Sequence, residues 1–88
     1  MITNLSLQPN IGKDTEAKLV QVGINSIEEL RLIGTEQAFI RLQTLDSGAC
    51  IQLLYGLAGA IEGIQANQLS RARKQELCEF HRMTKRNL

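Results

Sequence analysis

The residues Pro9-Asn10-Ile11-Gly12-Lys13 have the types and the spacing of a backbone turn that binds phosphate. A glycine lets backbone amides approach a phosphate at the start of a helix, and a lysine adds a positive charge. Such turns carry an earlier glycine where this chain has Asn10, and asparagine tolerates the left-handed backbone region. This opening turn, residues 9–12, therefore predicts one of two outcomes. Either it is a tight connection without a ligand, or it forms a phosphate contact at Asn10, Ile11, Gly12 and Lys13.

Residue patterns typical of catalysis or metal binding do not occur in the sequence. His81 is the single histidine, and we expect it on the surface of the last helix. Cys50 and Cys78 lack metal or redox spacing, which favours two reduced thiols in a cytoplasmic protein. No phosphate loop, dinucleotide fingerprint or recognisable nucleophile–base pair is found. We therefore predict that the protein is not an enzyme and uses neither a cofactor nor a metal.

Charge is distributed unevenly along the chain. Residues 1–69 carry four basic and seven acidic side chains, whereas residues 70–88 carry six basic and two acidic ones. At 100° per residue, one side of the last helix carries the residues that we call the basic arc: Arg71, Lys74, Arg82, Lys85 and Arg86. The other side, expected to face the core, carries Leu69, Ala72, Phe80 and Met83.

The basic arc has two interpretations. It can neutralise phosphates, which would make binding depend on salt concentration. It can equally be a solvated face that keeps the protein soluble. Because the arc includes no aromatic side chain for stacking on bases, any binding to DNA is predicted to be weak and indifferent to base sequence.

Short, capped helices are expected to position these residues. No segment alternates apolar and polar residues as a strand does, and none is long and apolar enough to span a membrane. Capping signals occur at Gly23, Ser26, Gly34, Thr35 and Ser70. With one turn of helix near residues 2–6, the predicted helices cover about residues 13–22, 26–32, 35–42, 49–64 and 70–85. The sequence thus predicts a compact all-α domain of five helices over residues 1–88.

The segment from Ala49 to Ile64 is apolar almost all round, which is typical of a buried central helix. Gly56, Gly59 and Gly63 fall on one side of it, and Gln52 continues that side. Each glycine in a helix costs about 0.5–1 kcal/mol relative to alanine, so close packing must offset the loss. This glycine side predicts either a contact with another helix of the chain or a site for a partner helix or second subunit.

Two stretches resemble the C-terminal domain of the TfoX/Sxy family. The stretch "LQPNIGKDTEAKLVQVGINSIEELRLIGTEQAF", residues 7–39, matches the family's Pro-Asn-Ile-Gly start and its Val-Gly-Ile and Glu-Leu-Arg elements. The stretch "LLYGLAGAIEGI", residues 53–64, matches its Leu-Tyr-Ala-Leu-x-Gly-Ala-Ile-x-Gly block. The resemblance implies a helix-hairpin-helix or SAM-like helical domain, here standing alone. Full-length members are bacterial regulators of natural competence that act with a cyclic-AMP receptor protein.

Together these features predict a non-catalytic bacterial regulatory module in the cytoplasm. In one interpretation it associates weakly with DNA through the opening turn and the basic arc. In the other it is a protein-interaction or homodimerisation module that uses the glycine side of the central helix. The first requires binding that weakens steeply as salt rises, and the second requires a protein partner or a molecular mass that depends on concentration.

Overall fold

Helices form all of the regular structure in the described part of the chain. The computed structural model describes residues 3–86, and for Lys85 and Arg86 it describes the backbone only. The α-helices in this range are α1 (Lys13–Gln21), α2 (Ile27–Ile33), α3 (Thr35–Leu45), α4 (Ile51–Glu62) and α5 (Arg71–Arg86). Two 3-10 helices, Leu5–Leu7 and Ala66–Gln68, precede α1 and α5.

The all-α, five-helix prediction is confirmed for residues 3–86, which contain no strand. The finer assignment to a helix-hairpin-helix or SAM-like arrangement stays a prediction. Within the same range, no helix combines the length and the apolar character that crossing a membrane requires.

The connection between α1 and α2 follows from local capping. Gly23 has a φ of 86°, the left-handed conformation expected just after a helix. The Ser26 hydroxyl accepts a hydrogen bond from the Glu29 amide at 3.0 Å, as expected of an N-cap. The return bond differs from the expected capping box, because the Glu29 carboxylate accepts from the Asn25 amide at 3.3 Å.

The ends of α3 and α4 differ from the sequence prediction by one to three residues. Thr35 is the first residue of α3 and not its cap, because Gly34, with a φ of 90°, takes the capping position. α3 continues to Leu45, where residue 42 had been expected as its end. α4 is shorter than expected and stops at Glu62, since the next residue, Gly63, turns into the left-handed region.

α4 lies at the centre of the domain, and the prediction of a buried central helix is confirmed. It packs against α2, α3, α5 and the 3-10 helix Ala66–Gln68. Its residues Leu54 and Leu57 are almost completely buried. Between α3 and α5, the rings of Phe39 and Phe80 meet edge to face with centroids 6.5 Å apart.

α5 is rotated relative to the orientation expected from its sequence. Leu69, just before the helix, is buried as predicted, but Ala72 is exposed and Met83 is 62% exposed. The side that faces the core instead carries the fully buried Leu77. This rotation follows from packing on both α3 and α4, which the spacing of apolar residues along α5 alone does not reveal.

The expectation of a surface position for His81 is wrong. The residue is only 9% exposed, and its imidazole lies against the ring of Phe39, with centroids 5.8 Å apart. Among the described residues its Nε2 atom has no hydrogen-bond partner. His81 follows Leu77 by four residues, so both lie on the same side of α5 and both face the core.

Candidate nucleic-acid interface

The side chain of Asn10 holds the opening turn against the rest of the domain. Asn10 has a φ of 68°, and between residues 3 and 86 it is the only residue other than glycine with a positive φ. Its Nδ2 donates to the carbonyls of Ile64 at 2.9 Å and Gly56 at 3.4 Å. Its Oδ1 accepts from the Ala66 amide at 3.1 Å. The residue that replaces the first glycine of the turn thus ties the turn to α4 and to the segment that follows it.

Gly56 and Gly59 provide the space for this turn. A Cβ atom at Gly59 would lie 2.5 Å from Asn10 Nδ2 and 2.8 Å from the carbonyl oxygen of Ile64. At Gly56 it would lie 3.4 Å from the Asn10 Cβ atom, an ordinary contact distance. Both glycines are buried. The close packing at these two glycines is therefore made within the chain, with the opening turn and with the segment from Ile64 to the start of the 3-10 helix at Ala66.

The other two residues assigned to the glycine side lie elsewhere. Gly63 has a φ of 76° and ends α4, and a Cβ atom there would meet nothing within 4 Å. Gln52 is exposed in the first turn of α4. Of the four predicted residues, Gly56 and Gly59 are therefore covered by the chain itself, whereas Gln52 and Gly63 are exposed.

The remaining residues of the phosphate prediction lie at the start of α1. Ile11 is buried, whereas Gly12 and Lys13 are exposed. Gly12 occupies the N-cap position in an extended conformation, with a φ of −92°, and no side chain caps the helix there. The exposed amides and Lys13 favour an anion at this position.

Two carboxylates in the first turn of α1 oppose such an anion. Asp14 is exposed. Glu16 accepts hydrogen bonds from the Thr3 hydroxyl and, at 3.2 Å, from the Ser6 amide. The bond from Thr3 is the main reason why the pKa of Glu16 lies below its ordinary value. Glu16 therefore carries negative charge close to Lys13.

One basic residue of α5 serves the fold. The guanidinium group of Arg73 donates to both carboxylate oxygens of Glu36, at 3.0 and 3.2 Å, and contacts Glu76 at 3.3 Å. The hydrogen bonds from Arg73 hold the pKa of Glu36 below its ordinary value. This bidentate pair connects α5 to α3.

Most of the described residues of the basic arc have no acidic side chain that neutralises their charge. Arg71 and Arg82 are exposed, and Lys74 is half-buried. Arg82 lies 3.6 Å from the Glu79 carboxylate. Within the described part of the chain, the ion pairs formed by α5 involve only Arg73 and Arg82, so Arg71 and Lys74 have no acidic partner. The remaining members of the arc lie outside the side chains that the structure describes: Lys85 and Arg86.

A surface pocket of about 400 Å³ joins the opening turn, α4 and α5. It is lined by Asn10, Gln52, Tyr55, Gln65, Ala66, Asn67 and Lys74. The fold thus brings together residues from both predicted sets, namely Asn10 and Lys74 from the phosphate set and Gln52 from the partner set. Lys74 is the only charged residue in the lining, which gives the pocket a positive character.

Several lining residues were not predicted as site residues. Tyr55 follows Gln52 by three residues in α4, so helical spacing could have placed both on one side. No helical spacing of this kind predicts Gln65 and Asn67, because their position is set by the segment between α4 and α5, which contains the 3-10 helix Ala66–Gln68. Among residues 3–84, no cluster of three or more His, Cys, Asp and Glu residues could hold a metal ion.

The fold and the site define a small all-α domain with a polar surface pocket whose lining includes the cation Lys74. The chain belongs to the TfoX C-terminal domain family, whose model matches residues 1–81. Family membership, predicted from residues 7–39 and 53–64, is thereby confirmed.

Two relatives illustrate the match. Protein Sxy of Escherichia coli (strain K12) is 39% identical over 72 residues, which cover 82% of this chain and 34% of Sxy. The DNA transformation protein TfoX of Haemophilus influenzae is 35% identical over 69 residues, which cover 78% of this chain and 32% of that protein. The matched part of this chain thus corresponds to about a third of the length of each relative.

Crystal structures of similar proteins from Listeria monocytogenes have the same fold. A triclinic form of an uncharacterized protein is 42% identical with a TM-score of 0.91, over 92% of this chain and 92% of that one. A tetragonal form of a protein of unknown function is 43% identical with a TM-score of 0.87, over 90% of this chain and 98% of that one.

Proposed function

We propose that this chain is a bacterial regulatory module that contacts the phosphate backbone of DNA through the basic arc of α5. Its relative from Haemophilus influenzae is named a DNA transformation protein. The division of basic residues on α5 supports the proposal most directly. Arg73 is paired with Glu36 inside the domain, whereas Arg71 has no acidic partner among the described residues.

Cations gathered on one helix favour a polyanion, because neutralising phosphates releases counterions from DNA. Of the described arc residues, Arg71 is exposed without an acidic partner, Arg82 is exposed beside Glu79, and Lys74 is half-buried. The arc offers charge but no group placed to read a base edge. Binding through it is therefore weak and indifferent to base sequence. The module acts in the cytoplasm by binding and not by catalysis.

The opening turn has a smaller part in this proposal. The Asn10 side chain is engaged with Ile64 and Ala66, so it is not free to contact a phosphate. Lys13 is exposed, but Asp14 and Glu16 place negative charge in the same turn. We assign Lys13 a contribution secondary to that of α5.

A mobility-shift assay with a short DNA duplex at about 50 mM salt tests the proposal. We expect a shift that weakens steeply as salt rises and that Arg71→Glu with Arg82→Glu abolishes. The charge control is Arg31→Glu with Arg41→Glu, which reverses the same number of charges on exposed residues of α2 and α3. Because these side chains donate to the carbonyls of Ile61 and Val22, circular dichroism must show that the control variant is folded. An equal loss in the control would assign the binding to total charge, and no shift of the unmodified protein would refute DNA contact.

A protein partner is the second candidate, and exposed apolar side chains favour it. Leu7 is 81% exposed and Leu32 is 87% exposed. Neither leucine belongs to the predicted glycine side, where Asn10 covers Gly56 and Gly59. Sedimentation over a wide range of concentration tests for self-association, which we expect Leu32→Ser to abolish while the helical circular dichroism is unchanged. A monomeric mass throughout would refute homodimerisation.

A further inference from the structure

The pocket between the opening turn, α4 and α5 is lined by several polar side chains that form no hydrogen bonds within the described residues. Asn10, in its wall, makes its hydrogen bonds inside the domain. Gln52, Tyr55, Asn67 and Lys74 also line the pocket, and none of these side chains forms a hydrogen bond with another residue of the described range. The pocket therefore offers two amides, a phenol and an ammonium group to a ligand.

Charge and size restrict what this ligand can be. Lys74 is the only charged lining residue, so an anionic group is favoured. The volume of about 400 Å³ falls within the range of about 300–1,000 Å³ that is usual for small-molecule sites. A single bound ion would leave most of this space, and both amides, without a role.

We propose that this pocket binds one nucleotide, either free or as an unpaired nucleotide of a single strand. Tyr55 brings an aromatic side chain to the lining, and every base has a face that can stack on such a ring. Side-chain amides such as those of Gln52 and Asn67 carry donors and acceptors that match the edge of a base. The ammonium group of Lys74 pairs with the phosphate.

A carboxylate ligand fits the lining less well. Proteins commonly recognise carboxylates with the two parallel donors of an arginine, and the lining contains no arginine. A carboxylate also makes no use of the aromatic ring. The inference deepens the proposed function by naming unpaired nucleotides as ligands, and it has a readout different from the duplex mobility shift.

Titration followed by NMR tests the inference on the complete chain. The probes are thymidine 5′-monophosphate and a short oligothymidylate, and the readout is the side-chain amide signals of Gln52 and Asn67. We expect saturable shifts with both probes; saturation with the oligothymidylate alone would support an unpaired nucleotide within a strand. No shift with either probe overturns the inference. Equal affinity for inorganic phosphate or acetate also overturns it, because the base would then contribute nothing.

Three variants separate stacking from packing. We expect Tyr55→Leu to weaken oligothymidylate binding by about tenfold and Tyr55→Phe, which keeps the ring, to leave the affinity unchanged. Because Tyr55 also packs against the core, Gln52→Ala provides a variant at an exposed position. We expect it to weaken binding without lowering the unfolding temperature, and unchanged binding in both Tyr55→Leu and Gln52→Ala would refute the pocket.

The two proposals fail separately. A duplex shift that depends on Arg71 and Arg82, together with pocket signals that do not move, would refute the nucleotide pocket and leave the proposed function standing. Shifts of the pocket signals without any duplex shift would refute the proposed contact with duplex DNA and leave the nucleotide pocket standing.

Discussion

The opening turn and the outer side of α5 both carry residues suited to phosphate, yet the fold uses them differently. At the turn, the Asn10 side chain bonds to Gly56, Ile64 and Ala66 inside the domain. On α5, Arg71 is exposed and has no acidic partner among the described residues. Tight packing and phosphate contact both need residues that are small or that adopt a left-handed backbone conformation. Such a turn in a sequence therefore indicates either internal packing or phosphate contact. An exposed cation without an internal partner is the more selective signal for an external anion.

The largest expected effect comes from replacing Gly59 with alanine. The new Cβ atom would lie 2.8 Å from the backbone oxygen of Ile64, so the loop must move. We expect Gly59→Ala to lower the free energy of unfolding by about 3 kcal/mol, the upper end of overpacking costs. Urea unfolding followed by circular dichroism measures this change.

Gly56→Ala is the matched control for that variant. Its Cβ atom would lie 3.4 Å from the nearest atom of Asn10, which is an ordinary contact. We expect a neutral effect or a gain of up to about 1 kcal/mol from helix propensity. Equal midpoints for the two variants would contradict the role given to Gly59.

A smaller loss is expected at Asn10. Asn10→Ala removes three hydrogen bonds and leaves a residue with a Cβ atom at a φ of 68°. We expect a loss of about 2 kcal/mol, whereas Asn10→Gly, which tolerates this conformation, should lose about half as much. Thermal unfolding compares the two, and an alanine variant as stable as the glycine variant would show that the backbone at this turn is not constrained.

The pair between Arg73 and Glu36 predicts a modest dependence of stability on pH. The folded pKa of Glu36 lies below its ordinary value, so its stabilisation is present above the unfolded pKa and is lost as pH falls through the folded pKa. Because the Glu36 side chain is 37% exposed, we expect less than about 1 kcal/mol. Glu36→Gln should narrow the difference in unfolding free energy between about pH 7 and about pH 3, and an unchanged difference would contradict this role.

The smallest effect on stability is expected on the basic arc. Arg71→Glu with Arg82→Glu should change the free energy of unfolding by less than about 0.5 kcal/mol per substitution, as for exposed positions without a structural role. The same variant should lose the duplex mobility shift. A large loss of stability would show that these arginines serve the fold and would remove the contrast with the opening turn.

Local signals explain how much of this fold could be predicted. The caps at Ser26 and Ser70 bond to amides three residues further along, at 3.0 and 3.1 Å, so the sequence around each cap contains both partners. The family could also be inferred from short matching stretches, because their order and spacing are visible in one chain.

Features that depend on how the helices pack could not be predicted in the same way. The burial of His81 depends on the rotation of α5 against α3 and α4. The pocket combines residues as far apart in sequence as Asn10 and Lys74, with Tyr55 between them. Considered along α5 alone, the basic arc has no aromatic neighbour, whereas the fold places Tyr55 of α4 and Lys74 in one pocket.

The reach of the Asn10 side chain also affects how the domain folds. Its bonds to Ile64 and Ala66 join positions 54 and 56 residues apart. Closing so long a loop is entropically unfavourable early in folding, so we expect the helices to form first and this contact to close late. Weakening it should then speed unfolding and leave the refolding rate nearly constant. Since Asn10 also forms a wall of the pocket, we expect the pocket to be completed last and to open first.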